Sequence, residues 1–206
     1  MQTYLLLGQI AKVVVENEEY KRIQEAFLLF HQALELAEKQ SDTLTMITTL
    51  MHIGDAYISL NRFVDPDKIV KEHQQNAKKH LDEAMNLALL KNAPVPLTLT
   101  RMAMVRWNNV EKNYAKSLEY AIDVLDNTES IPENYSLLLQ VYDHLVHIYS
   151  RLGDADAAIA WHNQFRYTMM KESDNKLHRA LQEMSVQYET AEKQLEIERQ
   201  QTEIEL

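Results

Sequence analysis

An all-α fold is what this sequence predicts, on three observations. Its 206 residues include only 3 glycines and 4 prolines. Its apolar residues recur at spacings of four and three, and small residues inside those stripes leave room for two helices to approach closely. Hairpin turns, phosphate-cradling loops and dinucleotide folds need glycine at positive φ or at a close backbone contact, so this chain has almost nowhere to place them. At 46% hydrophobic and 25% charged residues it is neither disordered nor membranous, and its length suits one domain with a sizeable core or an elongated stack of helices.

The elements can be justified in order. A first helix carries Tyr4-x2-Leu7-Gly8, and its partner carries Ala26, Phe30 and Ala33 on one face. Asp42 before Thr43 marks the start of a third, with Leu50-x2-Ile53-Gly54-x2-Tyr57. Asn61 to Asp67, with Pro66, reads as a turn inside an expanded segment of residues 61 to 75, after which Ala77, Leu81 and Ala84 repeat the small-apolar-small stripe. Pro94 and Pro96 open the next helix, which holds Met102-Ala103, and Ser117, Ala121 and Val124 line the one after it. Ser130-Ile131-Pro132-Glu133 has the pattern of a capping box. Beyond it, Tyr142, Leu145, Tyr149 and Leu152-Gly153-Asp154 precede Ala158, His162 and Phe165. Ala77 and Ala158 are expected to be buried where paired helices cross. From about Ser173 a ninth helix with a different grammar is expected. Leu177, Leu181, Met184, Tyr188, Ala191 and Leu195 follow a 4-3-4-3-4 spacing, a narrow stripe of the coiled-coil kind that stops mid-pattern at Leu206 as a truncated helix would.

This grammar resembles the tetratricopeptide repeat, in which helix A carries aromatic-x2-Leu-Gly-x2-Tyr and helix B carries Ala-x3-aromatic-x2-Ala. Three copies are clear, and a fourth, around Met102 and Ser117, is degenerate. The resemblance implies a right-handed α-α superhelix of about four helical hairpins over residues 1–172, followed by a capping or coiled-coil-like helix over 173–206. The tail from Tyr188 to Glu198 is similar to the segment that follows the N-terminal repeats in Bacteroides-type sensor histidine kinases. That likeness implies the sensory or interaction part of a longer signal-transduction protein, periplasmic if the parent is a membrane kinase and otherwise cytoplasmic.

Charge and composition exclude several function classes. A net charge of -10 without a basic cluster disfavours nucleic acid, and the absence of cysteine removes disulfides, thiolate metal sites and cysteine nucleophiles. No membrane span is expected in this segment, because Gln9 and Lys12 interrupt the apolar stretches Leu5 to Leu7 and Ile10 to Val15. Asp143, His144 and His147 are the nearest approach to a metal-ligand cluster and His73 and His80 form a second pair, but neither has converging partners in the sequence. No nucleophile elbow is present. The expectation is therefore a chain with no catalytic residue, metal or cofactor.

Function is expected on helix A. In the family that the chain resembles, stacked repeats leave a concave groove lined by helix A side chains. The resemblance maps that face onto Gln9 and Lys12 in the first copy, Met51 and Asp55 in the second, Arg101, Met104 and Asn108 in the third, and Asp143, His147 and Arg151 in the fourth. The set mixes charges, and it does not reproduce the lysine and asparagine pattern by which some family members clamp a peptide carboxylate. A protein or peptide is the expected partner. The alternative is an assembly scaffold that forms a homodimer through the C-terminal helix.

Overall fold

A computed structural model describes residues 19–60, 71–128 and 135–204. The chain there is all-helical. Seven helices follow one another: α1 (Glu19–Lys39), α2 (Thr43–Leu60), α3 (Lys71–Leu90), α4 (Pro94–Val110), α5 (Tyr114–Asn127), α6 (Tyr135–Leu152) and α7 (Ala155–Ile204). The first expected helix, the Pro66 turn and the Ser130 to Glu133 box lie outside the described residues. Each helix packs on the one before it, and α2, α4 and α6 also touch in series. The other member of each hairpin, α3, α5 or α7, lies against this row.

Four of the links between helices are built the same way. Ser41, Asn92, Lys112 and Gly153 take φ of 55, 48, 58 and 84°. The next residue's N–H then reaches back five positions, from Asp42 to Ala37 O, Ala93 to Ala88 O, Asn113 to Asn108 O and Asp154 to Tyr149 O, at 2.9 to 3.0 Å. This is a Schellman stop, and its last residue is also the start of the following helix. Asp42, Asn113 and Asp154 each accept a side-chain hydrogen bond from a backbone N–H three residues on, at 3.1, 3.3 and 3.0 Å. Ala93 has no capping side chain, and Pro94 in the first turn removes a donor that would otherwise be orphaned. The sequence therefore writes stop and start into three residues.

The small-residue stripes are the core of these pairs. Ala26, Phe30 and Ala33 on α1, Ala77, Leu81 and Ala84 on α3, and Ser117, Ala121 and Val124 on α5 are all completely buried. Gly54 shows why size matters there: a Cβ at this position would lie 2.6 and 2.7 Å from the Leu81 side chain and 3.2 Å from Ala77 O. Leu81 is itself enclosed and has little room to yield. Overpacking of about 1–3 kcal/mol outweighs the ~0.5–1 kcal/mol of helix propensity that alanine would restore.

Two expectations need correction. No ninth helix starts near Ser173: α7 runs unbroken from Ala155 to Ile204, through the expected boundary between residues 172 and 173. No glycine or proline occurs in this stretch, and Asn175, just past the expected start, is tied back to α6 by donating to the Tyr135 hydroxyl at 3.0 Å. The fourth stripe is also only partly covered. Ala158 is buried as expected, Phe165 is half-buried and His162 is exposed, stacked on Phe165. Alone of the four second helices α7 has no following hairpin beside it among the described residues, so only the side toward α6 is covered.

Candidate functional site

The row α2, α4, α6 gathers the polar residues that the sequence scattered. Arg106 on α4 donates through Nε to Asp55 Oδ1 on α2 at 2.7 Å, with the two side chains only 21% and 16% exposed. One turn along α4, Asn109 donates from Nδ2 to His144 Nδ1 on α6 at 3.1 Å. Its Oδ1 lies 2.8 Å from the Ser117 hydroxyl of α5, which also reaches the Val105 carbonyl at 3.0 Å. A polar network thus stitches three successive helices of the row and fixes the helix behind them.

The protonation state of His144 follows from its surroundings. Burial pushes its pKa down to about 4, assisted by the Arg106 charge and by His147, while Asp143 and Asp55 pull the other way to a lesser extent. Neutral His144 accepts at Nδ1 and keeps its proton on Nε2, as the Asn109 contact requires. Positive charge at this place resides on Arg106, which is always protonated and already balanced by Asp55.

The expected site residues divide into five groups. Asp143, His147 and Arg151 are exposed and, at intervals of four, form one row along α6 beside the network, with the Tyr114 ring edge-on to His147 at 6.0 Å. Asp55 is in the network. Arg101 instead turns toward α5, where its Nε is 3.7 Å from Asp123. Met51, Met104 and Asn108 are buried: the two methionines belong to the core shared by α2, α3 and α4, and Asn108 donates to its own helix at Met104 O, 2.8 Å. These three pack and present nothing to a ligand. Gln9 and Lys12 lie outside the described residues.

Sequence reasoning missed Arg106 and Asn109 and assigned His144 only to a metal cluster. The signal lay next door: Arg106-Trp107-Asn108-Asn109 holds the right residue types, and a shift of one position exchanges the buried asparagine for the network one. The third copy lacks the aromatic frame that would have set that register.

Two tryptophans and two further histidines make contacts between helices. Trp107 donates from Nε1 to Gln74 O at 3.2 Å and lies under Lys78, joining α4 to α3, and Trp161 stacks on Tyr142 between α7 and α6. His73 and His80 flank the Tyr57 ring at 5.9 and 5.8 Å. Among the described residues no group of three or more histidines and carboxylates is arranged to hold a metal ion, and no helix is long and apolar enough to cross a membrane. No family model and no curated protein matches the sequence.

Proposed function

We propose that the chain is a helical repeat module of the tetratricopeptide type that binds a protein or an extended peptide along the face of α2, α4 and α6, as the sensory or interaction part of a longer signalling protein. One observation carries the reading: an exposed row, Asp143, His147 and Arg151, with opposite charges at its two ends, borders a network that is already paired and half-buried. The network holds the helices in place, so a ligand need not order them. The exposed row is solvated in the free protein and gains partners only on binding, which gives selectivity at little expense to folding.

A peptide display library selected on the full chain tests this. Peptides so obtained should lose at least about tenfold in affinity for the double variant Asp143→Lys, Arg151→Glu, whose melting midpoint should be unchanged, because exposed charges contribute about 0–1 kcal/mol to stability. Equal binding to the variant, or no selectable peptide, would overturn the reading.

A further inference from the structure

α7 carries two stripes on opposite sides, one seated on α6 and one apolar and uncovered. Ala158, Trp161, Phe165, Thr168, Glu172 and Asn175, spaced 3-4-3-4-3, face α6: Ala158 and Thr168 are buried, the other four half-buried. At about 100° per residue, the stripe Tyr167, Met170, Leu177, Leu181, Met184 and Tyr188 lies roughly half a turn away. Every one of these six is exposed, by 65, 62, 61, 56, 66 and 66%. The outer stripe keeps heptad spacing across the place where α6 ends, so it starts ten residues earlier than the tail alone would suggest, on the back of the repeat array.

We infer that this outer stripe is the contact between two copies of this chain, paired through α7. Three observations favour a second copy over another occupant. A sustained heptad stripe is complementary to itself, since knobs of one helix fit holes of an identical one. The positions flanking it from 171 to 187 are Lys171, Ser173, His178, Ala180, Ser185 and Gln187, without a carboxylate, although the chain carries 31 acidic against 21 basic residues. Apart from Asp174 in the seam, two copies of net charge -10 bring no flanking carboxylates together there, and no block of flanking charge selects an oppositely charged partner. Area is also sufficient. Six large side chains of roughly 200 Å² each, more than half exposed, present on the order of 700 Å², close to the about 800 Å² that each partner buries in a standard interface. Asp174 interrupts the seam at one layer, where a polar residue lowers stability and fixes the alignment. Because α6 sits on the opposite side of α7, the two arrays stay apart and keep their α2, α4, α6 faces free.

Sedimentation equilibrium on the full chain at micromolar concentration tests the proposal, which stands independently of the peptide-binding reading. A dimer is expected. The double variant Leu181→Glu, Tyr188→Glu should weaken it by at least about a hundredfold, while Val186→Glu, exposed by 63% on the other side of α7, should leave it intact. Glutamate is a good helix former and the replaced side chains are exposed in the protomer, so α7 should remain helical by circular dichroism. A monomeric parent chain overturns the proposal. So does a dimer that survives the double variant, or one that Val186→Glu disrupts as strongly. A monomer whose melting midpoint falls in the double variant would mean the stripe is covered within its own chain, which also overturns it.

Discussion

His144 shows how one residue's partial burial between helices becomes a pH response. Its pKa, about 4 when folded, lies below the 6.5 of an ordinary histidine. Between those values the unfolded chain takes up a proton that the folded chain refuses. Stability from this group is complete above pH 6.5, declines as pH falls toward 4, and levels off below, a loss of up to roughly 3 kcal/mol. Urea melts from pH 7.5 to 4 should show the decline, and His144→Gln, which stays neutral and can still accept from Asn109, should flatten it. A slope unchanged in the variant would place the titrating group elsewhere. The side chain could be singled out from the sequence, but its state could not: Arg106 lies 38 positions away, and only the stacking of α4 on α6 turns that separation into proximity.

Elements were more legible than sites. Gly153-Asp154 and Asp42 announced their turns by composition, and the stripes of α1, α3 and α5 gave the buried faces directly. Lys112 gave no such notice, because lysine rarely occupies positive φ. There the next residue, Asn113, supplies the cap while the fold forces the φ of 58°. A left-handed conformation costs an ordinary L-residue roughly 1–2 kcal/mol, and Lys112 is exposed with no hydrogen-bonding role for its side chain. Lys112→Gly should therefore raise the melting midpoint, and Gly153→Ala, at φ of 84° in the equivalent link, should lower it by a comparable amount. Differential scanning calorimetry of the two variants, with opposite signs expected, measures how tightly these links are specified. The continuity of α7 was not legible, because Ser173-Asp174-Asn175 has the composition of a helix start and only the Tyr135 contact shows it held inside a longer helix.

At the scale of the whole molecule, each helix is secured by its immediate neighbours and by the row α2, α4, α6, so protection should be graded and not uniform. Amide hydrogen exchange should be slowest in α2 and α4, which have neighbours on several sides. It should be fastest in residues 176–191, where every described side chain is exposed. Raising protein concentration should slow exchange in that last segment alone if α7 pairs with its copy; uniform slowing throughout would instead indicate general association. Within α7, residues 155–175 and 176–191 thus differ in how they are supported, although no break in the helix separates them.

The fifty residues of α7 have a mechanical consequence as well. At 1.5 Å per residue the helix is about 75 Å long, and past Asn175 roughly 44 Å of it extends beyond its seat on α6. That part is a lever whose pivot is the packing of Tyr142 on Trp161 and of Tyr135 on Asn175. A tilt of only about 5° at the pivot sweeps the far end through roughly 4 Å, about three quarters of the pitch of a helical turn. Adjustments at α6 too small to change any contact in the array are multiplied by this geometry into displacements that spin labels at the two ends of the rod could resolve.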